Sequence, residues 1–187
     1  MGHPVLRARA RPIDPAQIGS PRIQQLIDDM FETMHEYQGV GLAAPQVHES
    51  LRLFVAGFSP DEDDEDPDED DEEGRSRRGV PRLAIINPEI TPIGTDLVDD
   101  WEGCLSIPDI RGRVPRSRQI SVRAFDRRGK RIEVKAGGFT ARVIQHETDH
   151  LDGVLFFDRM RSFQTLTFLD EYGRYWSGPD SDPVEAE

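Results

Sequence analysis

Apolar positions along this chain follow two different periods. From Ile23 to Met34 they recur at helical spacing, with Ile23, Leu26, Ile27, Met30, Phe31 and Met34 on one face. Ser20 suits the cap of that helix, Pro21 its first position, and Gly39 its end. Such a stripe predicts core packing against a sheet. Further on, the apolar runs are short. Leu51 to Phe58, Leu83 to Asn87, Thr95 to Trp101, Gln119 to Phe125 and Arg131 to Lys135 read as strands. Pro88 and Pro92 are expected to interrupt between the second and third of these. Asp126 to Lys130, with Gly129, is a hairpin signal. Thr140 to Leu151 reads as a helix ending near Gly153. Ser162 to Trp176 reads as a last helix, with Leu166, Leu169 and Tyr172 among its inward residues. The predicted class is α+β: mixed or antiparallel sheets packed around the helix at 140–151, with an N-terminal and a C-terminal helix.

Composition changes this picture in one place. The 187 residues carry a net charge of −13. Asp61 to Glu73 holds 12 acidic residues, and outside it 24 acids face 23 bases, so the rest is nearly neutral. Segment 59–79 is expected to be an unstructured acidic insertion, because the run repels itself. Arg75, Arg77 and Arg78 just beyond it are candidates for loose pairing with the run. The expected organisation is one catalytic domain over 1–176, with an acidic flexible tail at 177–187. Cys104 is the only cysteine, which excludes an internal disulfide and suits a reducing compartment. No stretch is apolar enough to span a membrane.

The chemistry is concentrated in His146-Glu147-Thr148-Asp149-His150. On a helix, positions i and i+4 share a face, so both imidazoles can grip one metal ion while Glu147 reaches a water beside it. A catalytic site of this type needs a third protein ligand. The extended pattern that ends in a third histidine has its glycine at Gly153, but Phe156 occupies the last position and cannot ligate. Glu171 lies at the distance of a downstream glutamate ligand. Cys104, in Glu102-Gly103-Cys104-Leu105-Ser106, offers a thiolate. Gly39-Val40-Gly41-Leu42-Ala43-Ala44-Pro45-Gln46 adds a small-residue loop and an amide able to bind an oxyanion.

These three segments, in this order, resemble the peptide deformylase family, which carries G-φ-G-φ-A-A-P-Q, E-G-C-L-S and Q-H-E-x-D-H-L-x-G, where φ is apolar. Gln145 to Gly153 match the last motif at every fixed position. The resemblance runs from about Gly2 to about Trp176, leaving out the acidic insert and the tail. It implies Cys104, His146 and His150 as metal ligands and Glu147 as general base, then acid. Gln46 and the Leu105 backbone N–H become the oxyanion donors. Gly41, Val40, Arg111 and Val143 are implied to contact substrate, and Glu102 with Arg116 to form a buried pair supporting the metal loop. Leu42 and Ile144 are either pocket lining or core. Asp149 is read as orienting a histidine or fixing the local fold. Arg142 stands where the family often has an apolar residue, so a different pocket rim is expected.

By resemblance, the reaction is hydrolysis of the N-formyl group from formyl-methionine at the start of nascent polypeptides. The ion is usually Fe²⁺, with Zn²⁺, Ni²⁺ or Co²⁺ as substitutes. The expected partners are nascent formyl-methionyl peptides and, transiently, the ribosome; the expected state is a cytoplasmic monomer, with no membrane or direct nucleic-acid contact. The start at Gly2-His3-Pro4-Val5-Leu6-Arg7 resembles that of the mature family, so a leader is not expected. A bacterial enzyme is the first reading, and an organellar one without its leader the second. The acidic run reads first as a solvated loop, then as a docking surface for a basic partner such as a ribosomal protein, then as a cation sponge. Two rivals stand beside the enzyme: a metalloendopeptidase using Glu171, and a non-catalytic binding module acting through the acidic loop.

Overall fold

The computed structural model describes residues 1–58 and 80–177. The acidic run, the arginines after it and the residues beyond 177 lie outside the described residues, as do the expectations that fall on them. Helix α1 is Pro21–Glu36, capped by Ser20, whose hydroxyl accepts from the Ile23 N–H. Two sheets follow. The larger has the order β1 (Gly41–Ala43), β2 (Leu53–Phe58), β3 (Val80–Pro92), β6 (Gln119–Phe125), β7 (Arg131–Gly137). The smaller has the order β4 (Leu97–Cys104), β5 (Ile107–Ser117), β8 (Thr167–Phe168). Every strand pairing is antiparallel. Helix α2 is Gly138–Leu151 and α3 is Leu169–Tyr175. The α+β expectation, with α2 packed on the larger sheet, is met. Among the described residues, no helix is long and apolar enough to cross a membrane.

Strand alternation separates two cores. Leu53 and Val55 pack with Ile23, Ile27, Met30 and Phe31 of α1. Phe54 and Ala56, on the other face of β2, pack with Ala141, Val143 and Ile144 of α2. The α1 stripe is therefore core, as its spacing predicts, with Leu26 only partly buried. Leu42 and Ile144 are core residues too, 3% and 1% exposed. The smaller sheet has its own cluster of Leu6, Ile107, Val114, Leu155 and Phe156.

Four expectations need correction. Pro88 does not break β3. A register shift between Ile86 and Glu89 takes it up, with Asn87 at a φ of 52°. The Asn87 side chain fixes this bulge by accepting from Ile13 N–H and donating to Ile13 C=O. The strand expected at 95–101 instead runs from Leu97 to Cys104 and pairs along its length with β5, which the apolar pattern did not announce. The inward positions of β5 include Gly112, Val114 and Arg116, so alternation is real but not hydrophobic. The glycine loop is partly strand, as β1. The expected helix at 162–176 is a 3₁₀ turn at Phe163–Thr165, the short strand β8, and then α3. Thr167 and Phe168 favour strand geometry and pair with Arg111 and Ile110. Leu166 and Leu169 are 39% and 41% exposed rather than inward, while Tyr172 sets its ring edge-on against Trp101.

Candidate metal centre

Cys104 is the last residue of β4, where the strand turns through Leu105 and Ser106 into β5. His146 and His150 lie one turn apart on α2, their ring centroids 5.0 Å apart. The Cys104 Sγ is 3.2 Å from His150 Nε2. One ligand atom from each of Cys104, His146 and His150 falls within 4.8 Å of the others, and this is the one such group among the described residues. One sulfur and two imidazole nitrogens converging this closely fit a divalent transition ion. Glu171 is elsewhere: its carboxylate takes a hydrogen bond of 2.9 Å from Arg174 on the same surface helix. The geometry therefore opposes the endopeptidase alternative.

Charge around the ligands is arranged by buried pairs. Glu102, 5% exposed, receives Arg116 on both oxygens at 2.9 and 3.0 Å. The same carboxylate meets His146 Nδ1 at 2.9 Å, which turns the other ring nitrogen toward the cysteine. Burial alone would raise the Glu102 pKa. Hydrogen bonds from His146 and Arg116, and their charges, outweigh it and hold the group at about 2. Burial likewise opposes a charge on His146, but its hydrogen bonds to Cys104 and Glu102 raise its pKa well above the usual imidazole value. A bound cation would displace that proton. For His150, burial and the charges of His146 and Arg116 lower the pKa to about 3, leaving the neutral imidazole that ligation needs.

Arg142 is not a rim residue. It is 5% exposed and donates to Glu102, to the Val98 and Val114 carbonyls and, at 3.3 Å, to Asp100 C=O. It ties the first turns of α2 to the β4–β5 hairpin that carries Cys104. Asp149 touches no histidine. It accepts from Arg116 at 2.5 Å and from Arg159 at 2.7 and 3.1 Å, so of its two readings the one that fixes the fold agrees with the structure. Gln145 adds a second tie, accepting from Ser117 N–H and donating to Ser117 C=O. Sequence reasoning missed the roles of Arg142 and Gln145. The signal for Arg142 was a cation on the ligand-bearing helix face, four residues before His146.

Glu147 is 4% exposed, and burial raises its pKa to about 7. One of its oxygens is buried with no hydrogen-bond partner. Gly41 passes so close that a Cβ there would lie 2.8 Å from the Glu147 carboxyl carbon. Gln46 is held by its oxygen, which accepts from Ala43 N–H at 2.7 Å. Its amide nitrogen thereby faces Ser106 Oγ at 3.2 Å and Cys104 Sγ at 3.7 Å. These groups open on a cavity of about 530 Å³ lined by Val40, Gly41, Leu105, Arg111 and Val143. Phe139 and Leu169 line it as well and were not anticipated. Arg111 packs its guanidinium against Gly103 and over the Tyr172 ring, 6.0 Å from the centroid.

The sequence profile described as Polypeptide deformylase matches residues 1–165. Peptide deformylase 1 of Bordetella pertussis is 47% identical over 170 residues, covering 91% of this chain and 90% of that protein. The crystal structure of peptide deformylase from Thermotoga maritima superposes with a TM-score of 0.70 at 40% identity, over 87% of this chain and 95% of that one. A Met-Ala-Ser-bound class I type b peptide deformylase from Acinetobacter baumannii gives a TM-score of 0.74 at 34% identity, over 86% and 94% of the two chains. With a Cys/His/His cluster on the matching fold, the chain belongs to the polypeptide deformylase family and is a peptide deformylase, a metal-binding hydrolase.

Proposed function

We propose that the protein removes the formyl group from peptides that begin with formyl-methionine, and that Cys104, His146, His150 and Glu147 carry the reaction. One observation supports this most: the only cysteine meets both histidines beside a buried carboxylate whose pKa lies near neutrality. A relative of this fold holds Met-Ala-Ser, the sequence of a deformylated peptide start. A divalent ion held by Cys104, His146 and His150 acidifies a water and polarises the formyl oxygen. Glu147 takes the proton as the water oxygen joins the formyl carbon. The Gln46 amide and the Leu105 N–H donate to the oxygen as it gains charge. Glu147 then delivers the proton to the departing amine nitrogen, the C–N bond breaks, and formate leaves with a free N-terminus remaining. Val40, Gly41 and Val143 line the space for the methionine side chain, and Arg111 meets the peptide backbone. Glu102 and Arg116 keep the metal loop in place.

Fe²⁺ is the ion of this reading, with Zn²⁺, Ni²⁺ or Co²⁺ able to replace it, since thiolate and imidazole suit them all. A single catalytic domain over 1–176, a cytoplasmic monomer and passing contact with the ribosome complete it. The test is formate release from formyl-Met-Ala-Ser by anaerobic, Fe²⁺-loaded protein. Cys104→Ala should lose metal and activity together, while Glu171→Ala should keep both. Glu147→Gln should retain metal and lose about 10²–10⁴-fold in turnover. Absence of formate from correctly metallated wild type would sink the proposal.

A further inference from the structure

Away from the ligands, α2 carries a polar stripe of Gln145, Thr148, Asp149 and Asp152. This stripe closes one side of a second cavity, of about 680 Å³, which shares no lining residue with the catalytic one. Its other walls come from the β3 bulge, from the end of β5 at Arg116 and Ser117, and from Arg9 near the N-terminus. It therefore occupies the seam between the two sheets.

The charges there are unevenly spent. Asp149 is engaged by Arg116 and Arg159, Asp152 by Arg52 at 2.6 Å, and Glu89 by Arg123 at 2.9 Å. The carboxylates of the wall are thus already matched. Arg9 reaches Asp152 only at 3.6 Å, with its side chain 81% exposed. Thr148 is 9% exposed, and its hydroxyl is buried with no hydrogen-bond partner. Four guanidinium groups line the cavity against three carboxylates, in a chain whose net charge is −13. The surplus is in donors and in positive charge. A water molecule could satisfy the hydroxyl, but it would leave the surplus charge unmatched.

We infer that this cavity is a binding site for a small oxyanion, a carboxylate or phosphate group, held by the Thr148 hydroxyl and the Arg9 and Arg159 guanidinium groups. The site connects to the catalytic centre through consecutive pairs: Arg159 to Asp149, Asp149 to Arg116, Arg116 to Glu102, and Glu102 to His146.

The experiment is a titration of the Zn²⁺-loaded full chain, followed by ¹H–¹⁵N NMR. Inorganic phosphate and succinate are added in separate arms, with chloride at matched ionic strength as control. Saturable shifts are expected at the amides of Gln145, Thr148 and Asp152 with phosphate, succinate or both, and none with chloride. Which anion saturates identifies the preferred class. Thr148→Val and Arg159→Gln should each weaken the interaction about tenfold, the loss of one charge-assisted hydrogen bond. Arg9→Gln, at an exposed side chain, carries the same test if a buried change unfolds the protein. Non-saturating shifts, shifts confined to residues around Gly41 and Leu105, or titrations unchanged by every variant would overturn the inference.

Discussion

Glu147 and Gly41 show how closely one residue can depend on another far away in sequence. The Glu147 carboxylate sits against the Gly41 backbone, in space that any side chain would take. Gly41→Ala should displace the carboxylate by an ångström or so and lower kcat/KM for formyl-Met-Ala-Ser by about a hundredfold. The urea midpoint should move far less, because both groups line a cavity rather than the core; an unchanged rate would contradict this packing. Glu102 gives a second test, through pH. Its folded pKa of about 2 lies below the ordinary 4.5, so its contribution to stability is complete above about pH 4.5 and drains away as pH falls toward 2. The amount at stake is roughly 3 kcal/mol. Glu102→Gln should flatten the acid side of the stability–pH curve measured by urea unfolding. At this scale the sequence was readable for the ligands and the base, because a motif fixes residue types at helical spacing. It was not readable for Gly41, since what forbids a side chain there is a carboxylate on another element.

At the scale of elements, α1 and α2 could be read from the sequence because one face of each is marked by spacing and by end signals such as Ser20-Pro21. The β5 strand could not, because its inward row includes Gly112 and Arg116, and a buried arginine looks like a surface residue until its partner is known. Arg142 was misread for the same reason. Its acceptors are two strand carbonyls and a glutamate, none adjacent in sequence. Removing it would strand those acceptors beside a buried carboxylate. Arg142→Met should cost about 3–5 kcal/mol in urea unfolding, the penalty for breaking a buried pair from one side. A loss below 1 kcal/mol would mean that the side chain is a bystander. The C-terminal stretch failed differently. Ser162 does cap a turn, but the threonine and phenylalanine that follow favour the edge of β5 over continued helix.

Across the whole molecule, the ligands come from two bodies of structure. Cys104 belongs to the smaller sheet with its own apolar cluster, and both histidines belong to the helix packed on the larger sheet. Buried charges at Glu102, Arg116 and Arg142 join the two. Hydrogen exchange should report this division. Stripping the ion with a chelator should speed exchange in the β4–β5 hairpin well before it affects the β2, β3 and β6 ladder, and uniform acceleration would refute the division.

A thiol on one sheet and imidazoles on a helix of the other also make the ion a fastener whose grip varies with its supply. An ion present at a hundred times its dissociation constant adds about 2.7 kcal/mol to the resistance of the native chain against unfolding. When the ion is scarce, that reinforcement is withdrawn from the seam first. The lifetime of the enzyme among proteases would then follow the free-metal level of its surroundings, so that starvation for the ion thins the pool of protein as well as idling it.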